Sequence, residues 1–452
     1  MIPFEELSCP RAGHGLQAMM RRWEQLHPVN AVHVVQLNRP VSSQAIRHAA
    51  DRVFERLLKS PSENQPPRSI GISEQLGPLF DFSETWTSVD ELPLLESAVT
   101  AELNTPFAEH QTPFRLRVIR SRHHAPLLLV CYRHVVADAR ALALLIQELL
   151  TRLAQPDACL TENLALISDR TLPDLYPQEF RLSRSLVTAF HILDEWWQSR
   201  HCLRLPVRDP DDLHMDFQIH HTALPLEALQ STCHKFHASV NDLLLATLFE
   251  WFSQRIGTGN QCHPLPMALA TLADLSSRGT KHERLAFGQF VSQFAIRAVI
   301  SPQWPFSRIV ATVQALTQRQ KQTARLIDNS RGFDFLSRLW DWWPSIRSPG
   351  RLAHDLPFLA GISNVNLAAI WDRAGSPPLV RSYLRGTCVT NLLPMMLTVT
   401  STSQDVSLST THRSAYFTRH EMSLLASHVC ERLIGAKVLP QREHNSAERI
   451  AA

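Results

Sequence analysis

The sequence lacks any apolar run long enough to cross a bilayer. A transmembrane helix needs about 20 consecutive apolar residues, and no stretch of the 452-residue chain provides them. Residues 1–7 contain two glutamates and have neither the basic region nor the apolar region of a signal peptide. We therefore expect no membrane span and a cytoplasmic location.

Cysteine pairs and clusters of basic residues are also missing. None of the eight cysteines has a second cysteine at the spacing of a zinc ribbon or a redox motif. The neighbouring pair Cys262-His263 has no further ligands beside it, so no metal site is expected. The net charge is only +3, and its arginines are scattered among acids, which argues against nucleic-acid binding.

What the chain does contain is typical of a large folded protein. Apolar residues make up 44% of it and charged residues 19%, as in globular proteins. Because 452 residues are too many for one ordinary core, we predict two α/β lobes, each a mixed sheet with flanking helices. The boundaries follow from periodicity and from proline: an N-terminal lobe over 1–153, a connector over 154–185, a C-terminal lobe over 186–435 and a loose tail over 436–452.

Apolar periodicity places the main elements of both lobes. In the first lobe it predicts helices over 14–27, 42–58 and 140–150, strands over 31–37, 114–119 and 127–132, and a loop over 61–69. In the second lobe it predicts a helix through 186–197, a strand over 216–224, helices over 226–236 and 239–256, strands within 286–300 and 394–413, and a last helix over 419–433.

The most informative feature is a His-x-x-x-Asp pair between a strand and a helix. His134 directly follows the apolar run 127–132, and Asp138 directly precedes the apolar run 140–150. A histidine held rigidly where a strand ends can serve as a general base near neutral pH. The same spacing also fits a histidine hydrogen-bonded to nearby backbone and an aspartate that only caps the helix.

At this point the chain resembles a known superfamily, the CoA- and carrier-dependent acyltransferases. Residues 105–107 (TPF), 113–118 (PFRLRV) and 133–139 (RHVVADA) are similar to its N-lobe core, whose signature is HHxxxDG or HxxxD. Similar second-lobe stretches follow in family order at 238–246 (ASVNDLLLA), 273–278 (ADLSSR), 287–292 (FGQFVS) and 361–365 (GISNV). The superfamily includes chloramphenicol acetyltransferase, condensation domains and wax ester synthases.

The resemblance implies a two-lobed, chloramphenicol acetyltransferase-like pseudo-dimer that works as a monomer. It implies acyl transfer from CoA or from carrier-protein phosphopantetheine to a hydroxyl or amine of a small-molecule or lipid acceptor. The thioester is a co-substrate, and no bound cofactor is implied. His134 would be the general base, while Asp138 would be structural and paired with Arg278 of the second lobe. Ser363, Asn364 and Ser292 would line the substrate tunnel.

Two positions depart from the family pattern, and two rival functions stay open. Arg133 replaces the first histidine, and Ala139 replaces the glycine after the aspartate. If position 139 requires a positive φ, alanine costs about 1 kcal/mol relative to glycine. These departures favour the first rival, a catalytically degenerate condensation-like module that binds a carrier protein or ligand. The second rival is a lipid-surface protein that uses the tryptophan-rich stretch 333–343.

Overall fold

Eleven strands in the described part of the chain form two sheets, which are flanked by helices. The computed structural model describes residues 15–58, 80–87, 91–108, 112–121, 125–155, 175–181, 185–209, 211–256, 263–276, 287–342, 357–371, 379–403 and 405–434. One sheet has five strands and the other has six. Both sheets combine parallel and antiparallel pairs, as the predicted α/β architecture with mixed sheets requires.

The central strand of the first sheet, Leu127–Arg133, is buried at every residue except its last. The members of this sheet are β1 (Asn30–Leu37), β2 (Asp81–Thr87), β3 (Phe114–Ser121), β4 (Leu127–Arg133) and β9 (Val380–Thr387), in the order β2-β3-β4-β1-β9. Four helices belong to this part of the chain, of which the first precedes β1: α1 (Leu16–Trp23), α2 (Ser43–Leu58), α3 (Glu91–Asn104) and α4 (Ala139–Ala154).

The second sheet holds the remaining strands. These are β5 (Met215–Pro225), β6 (Leu265–Asp274), β7 (Val291–Ile300), β8 (Ala360–Asn366), β10 (Met395–Ser401) and β11 (Asp405–Arg413), in the order β5-β11-β10-β8-β6-β7. The helices are α5 (Ser185–Arg200), α6 (Leu226–Phe236), α7 (Val240–Ile256), α8 (Phe306–Gln320), α9 (Thr323–Leu339), α10 (Leu367–Trp371) and α11 (Arg419–Ile434).

One strand of the C-terminal half leaves its own lobe. β9 pairs antiparallel with β1, so that Arg385 lies opposite His33 and Tyr383 lies opposite Val35. Residues 380–387 belong to the segment 186–435 that the sequence assigned to the second lobe, and this assignment is wrong for them. Pairing with β9 gives the exposed edge of β1 a hydrogen-bonding partner and ties the lobes together through main-chain bonds.

Buried apolar side chains form separate cores around the two sheets. One core packs α2 and α4 on the first sheet, and the largest packs α7, α8 and α11 on the second. A third joins the lobes, because Val99 of α3 and Leu384 of β9 belong to the same buried cluster as Phe217 and Met396 of the second sheet. The junction between the lobes is therefore a packed interior.

The predicted helices and strands are confirmed wherever the structure describes them. β2, α3, β6, α8, α10, β9 and the first part of α9 were not predicted. The loop 61–69, the connector residues 156–174 and 182–184, and the tail 436–452 lie outside the described residues. Helix α5 is present, yet its regularly spaced apolar residues face solvent: Leu186, Phe190, Leu193 and Trp197 are each 59–74% exposed.

Candidate active site

A cavity of about 270 Å³ lies between the two sheets. Residues at the end of β4 and the start of α4 line one side of it, and residues of β6, β7 and β8 line the other. The first lobe contributes His134 and Asp138, and the second contributes Ser363 and Asn364. The structure thus brings four of the six predicted site residues to one place.

The backbone after β4 holds His134 rigidly. Its N–H donates to the carbonyl of Val29 at 2.8 Å, and the next turn closes through a bond from Val136 N to Arg133 O. The imidazole Nδ1 lies 3.1 Å from the carbonyl oxygen of Ala137. Because a carbonyl can only accept, Nδ1 carries the proton, and Nε2 is left with the lone pair that a general base needs.

Burial keeps the His134 imidazole neutral at physiological pH. The apolar surroundings lower its pKa below 6.5, the hydrogen bond to Ala137 works in the opposite direction, and the positive charge of Arg385 lowers the pKa further. The ring of Tyr132 packs edge-on against the imidazole at 5.6 Å between centroids. The neutral tautomer with a free Nε2 is the form that can accept a proton from a hydroxyl or an amine.

Asp138 connects the start of α4 to the second lobe. Its Oδ1 accepts from the N–H of Ala141 at 2.8 Å, which caps the helix, and its Oδ2 accepts from the N–H of Phe290 at 2.9 Å. Its own N–H donates to Gly288 O at 3.0 Å. Burial, followed by the charge of Asp274, raises the pKa of this carboxyl to about 6. Asp138 is therefore both a helix cap and an inter-lobe tie.

The predicted partner of Asp138, Arg278, lies outside the described residues. The described residues contain a different inter-lobe ion pair one step further along α4. Arg140 donates to Ser276 Oγ at 2.9 Å, and its Nε lies 3.6 Å from Asp274 Oδ2. Arg140 and Asp274 both line the cavity, so this pair stands at its wall.

Neither departure from the family pattern distorts the site. The side chain of Arg133 makes a two-pronged ion pair with Glu24, at 2.6 and 3.1 Å. Ala139 is the first residue of α4, and His237 is the only non-glycine residue with a positive φ in the described chain. Position 139 therefore needs no glycine, and the strain considered from the sequence does not arise.

The three predicted tunnel residues are placed differently from one another. Ser363 lines the cavity and accepts from Arg385 through its hydroxyl at 3.0 Å and through its carbonyl at 2.8 Å. Asn364 also lines it, and its buried Oδ1 has no hydrogen-bond partner in the described structure. The prediction for Ser292 is wrong, because its hydroxyl donates to Leu326 O at 2.7 Å on the opposite face of β7.

Sequence reasoning missed three buried polar residues that line the cavity. Arg385 of β9, His33 of β1 and Tyr132 of β4 all line it, and each is at most 3% exposed. A histidine inside the apolar strand 31–37 and a tyrosine two residues before His134 were available signals, because residues two apart share one face of a strand. Nothing in the sequence pairs β9 with β1, so Arg385 carried no such signal.

The tryptophan-rich segment is only partly a surface feature. Trp340 is buried at 1% exposure and donates to Gln25 Oε1 at 2.9 Å, whereas Trp342 is 86% exposed. Trp343 lies outside the described residues.

None of the described helices is both long enough and apolar enough to cross a membrane. No group of three His, Cys, Asp or Glu in the described residues could hold a metal ion.

Comparison with solved structures identifies the fold. The chain aligns with a trichothecene 15-O-acetyltransferase from Fusarium sporotrichioides at TM-score 0.67 and 11% identity, over 95% of this chain and 96% of that one. It aligns with the first condensation domain of the calcium-dependent antibiotic synthetase, bound to a substrate analogue, at TM-score 0.63 and 12% identity, over 95% and 97%. No protein-family model and no curated protein sequence matches it.

A third neighbour broadens the chemistry that this fold is known to host. The epimerization domain from the third module of tyrocidine synthetase B aligns at TM-score 0.57 and 12% identity, over 94% of this chain and 97% of that one. The chain therefore has the two-lobed fold of condensation domains and of this acetyltransferase, as the resemblance implied. At such low identities, the similarity establishes the fold only.

Proposed function

We propose that this chain, which has the fold of condensation domains and of an acetyltransferase, is an acyltransferase. It would move an acyl group from a thioester of CoA or of a carrier protein to a hydroxyl or an amine. The observation that carries this proposal is His134: Nδ1 is held by the Ala137 carbonyl, and the imidazole lines a cavity between the lobes. A base fixed beside a cavity that both lobes line is what such a transfer requires.

The reaction follows from the tautomer of His134. Nε2 accepts the proton of the acceptor hydroxyl or amine while the acceptor attacks the thioester carbonyl carbon. The carbon–sulfur bond then breaks, and the protonated imidazole returns its proton to the departing thiolate. An ester or amide and a free thiol are the products. The acceptor attacks directly, so no acyl-enzyme forms, and the sequence has no Gly-x-Ser-x-Gly elbow to suggest otherwise.

Replacing His134 by Ala tests this assignment. We expect acyl transfer to fall by about 10²–10⁴-fold, the usual contribution of a general base, with the far-UV circular dichroism spectrum unchanged. The assay is intact-mass analysis over a panel of acyl-CoAs and acylated carrier proteins, each with small alcohols and amines. His48→Ala, on the exposed side of α2, is the matched control and should transfer at the normal rate.

The same panel separates the rival functions. A module that only binds a carrier protein would retain an acylated carrier protein yet show no transfer with any acceptor, in the wild type as in His134→Ala. Normal transfer by His134→Ala would remove His134 from the mechanism. The lipid-surface function predicts co-sedimentation with liposomes that Trp342→Ser abolishes, because Trp342 is the exposed member of the described part of that segment.

A further inference from the structure

Arg385 is a buried cation whose hydrogen bonds all go to uncharged groups. It is 3% exposed and lies on the crossing strand β9. Its guanidinium donates to Thr400 Oγ1 at 2.8 Å, to Ser363 Oγ at 3.0 Å, and to the carbonyls of Ser363 and Val399, each at 2.8 Å. These bonds hold the side chain in one orientation without neutralising its charge.

Two other largely buried arginines of the described chain are paired with carboxylates. Arg115 lies 2.7 Å from Glu102, and Arg152 lies 3.3 Å from Glu148. Arg413 is also buried without a hydrogen-bond partner in the described structure, but it does not line the cavity. An uncompensated buried charge is costly. Arg385 is thus the buried, unneutralised arginine that faces the cavity.

His33, Tyr383 and Tyr132 add hydrogen-bonding capacity around Arg385 but no negative charge. His33 lies opposite it on β1, and Nδ1 of His33 is 2.5 Å from the hydroxyl of Tyr383. The hydroxyl of Tyr132 is buried and has no hydrogen-bond partner in the described structure. The two carboxylates that line the cavity are engaged elsewhere: Asp138 accepts from two backbone N–H groups, and Asp274 pairs with Arg140 and accepts from Ser276. A donor without an acceptor and a cation without an anion therefore share this end of the cavity.

The rest of the cavity wall is largely apolar. Its non-polar lining comes from α1, from β6 and β7, and from β10 and the loop before it, and it includes Met20, Trp23, Leu272, Val291, Leu392 and Met396. An apolar wall with a cationic inner end is complementary to an amphiphilic molecule, whose hydrocarbon part is buried against the wall and whose charged group reaches the guanidinium.

We propose that the cavity binds an acceptor that carries a carboxylate on an apolar body, with the carboxylate at Arg385 and at the hydroxyl of Tyr132. The assignment of this molecule as the acceptor rests on the proposed function, because His134 would accept its proton. The binding of a carboxylate at Arg385 does not rest on it. A single guanidinium and one hydroxyl match the one charge and two oxygens of a carboxylate.

Binding without turnover tests the proposal. The probes are matched pairs of carboxylate and neutral amide with increasing apolar length: butanoate and butanamide, 3-phenylpropanoate and 3-phenylpropanamide, decanoate and decanamide. Isothermal titration of the full chain should show at least one carboxylate binding at least about tenfold more tightly than its amide, the scale of an unmade bond to a buried charged group. Arg385→Gln should remove the difference.

Two further variants keep the test decisive if Arg385→Gln does not fold. Tyr132→Phe removes a hydroxyl that has no partner, so the fold should be kept while the carboxylate preference shrinks. His48→Ala, on the exposed side of α2, leaves Arg385 and its hydrogen-bond partners unchanged, so the preference should remain. Equal affinities of acid and amide in every pair, or no binding by any carboxylate of the series, would overturn the proposal.

His134→Ala distinguishes this proposal from the proposed function. The variant should keep the carboxylate preference, because its guanidinium and tyrosine hydroxyl are intact, and should lose acyl transfer. A preference that survives together with unaltered transfer would refute the catalytic role of His134 and leave the Arg385 site standing. Loss of transfer in a variant that shows no carboxylate preference would support the catalytic role of His134 and refute the Arg385 site.

Discussion

At the scale of single residues, the environment of His134 determines what its imidazole can do. The carbonyl of Ala137 fixes the tautomer by hydrogen bonding to Nδ1. Burial, and to a smaller extent the charge of Arg385, makes the protonated form unfavourable. The same residue on an open surface would be partly protonated near pH 6.5 and would rotate freely. The ability of His134 to act as a base therefore depends on its neighbours, which set its tautomer and lower its pKa.

The lowered pKa of His134 predicts the acid limb of the reaction. The base must be unprotonated, so lowering its pKa extends activity to lower pH. We expect kcat/KM to be constant near pH 7 and to fall with a midpoint below 6.5. Arg385→Gln should move the midpoint upward, because it removes one of the two causes of the shift. The measurement is a pH profile of kcat/KM, and a wild-type midpoint at pH 7 or above would contradict it.

Asp138 titrates in the same range, so the acid limb needs a control. Burial raises the pKa of its carboxyl to about 6, and its protonation could contribute to a loss of activity. Asp138→Asn has no group there to titrate. If His134 alone sets the acid limb, the midpoint should be the same in Asp138→Asn as in the wild type, even where the absolute rate is lower.

At the scale of elements, the start of α4 is the point at which the two lobes meet. The helix begins at Ala139, directly after a carboxylate that caps it and also accepts from Phe290 of the second lobe. A Gly288 carbonyl completes the contact by accepting from the Asp138 N–H. The His-x-x-x-Asp spacing therefore positions one residue for chemistry and the other for assembly, within a single turn.

Removing the Asp138 carboxylate should destabilise this junction. Asp138→Ala leaves the N–H groups of Ala141 and Phe290 without acceptors, and we expect it to lower the free energy of unfolding by about 1–3 kcal/mol. Asp138→Asn keeps one acceptor oxygen and should lose less. Urea denaturation measures both, and Asp194→Ala, on the exposed side of α5, is a control expected within about 0.5 kcal/mol of the wild type. A null effect of Asp138→Ala would refute the inter-lobe tie.

At the scale of the whole molecule, the two lobes are not independent folding units. β9 comes from the C-terminal half but pairs with β1, and Phe287 packs into the core of the first lobe. Phe217 and Met396 of the second sheet share a core with α3. Separating the lobes would expose the edge of β1 and this shared apolar core to water.

The pairing of β9 with β1 and the apolar core shared by the lobes predict a single unfolding transition. Urea curves followed by tryptophan fluorescence and by far-UV circular dichroism should coincide, because neither lobe is complete without the other. Tyr383→Ala, in β9 and fully buried against His33, should shift both curves to lower urea by the same amount. Two separated transitions, or a shift confined to one probe, would show that the lobes unfold independently.

Much of the fold could be predicted from periodicity, and the errors have physical causes. The helices over 226–236 and 419–433 and the strands over 31–37 and 127–132 have clear apolar patterns. β2 could not be recognised, because it is an exposed edge strand without alternation. The apolar stripe of α5 was read correctly as a helix, yet it faces solvent, and periodicity identifies an apolar face but not what covers it.

The candidate site was predictable only in part. His134 and Asp138 are four residues apart, so local sequence shows them together, and Ser363 and Asn364 followed from a resemblance in family order. Ser292 was placed on the wrong face, because a shift of one residue along a strand reverses the direction of the side chain. Arg385 is 251 residues from His134 in the chain, and only the pairing of β9 with β1 brings it to the cavity.

The amino-acid sequence by itself determined the α/β class, the strand–turn–helix around His134 and the cap on α4. Each of these depends on residues within a few positions of one another, where periodicity and capping chemistry operate. The tertiary structure alone decided that β9 crosses between the lobes, that Asp138 accepts from Phe290 and that an unneutralised guanidinium lines the same cavity as the base. These features depend on contacts between distant segments, whose free energy comes from burial and desolvation in the assembled fold.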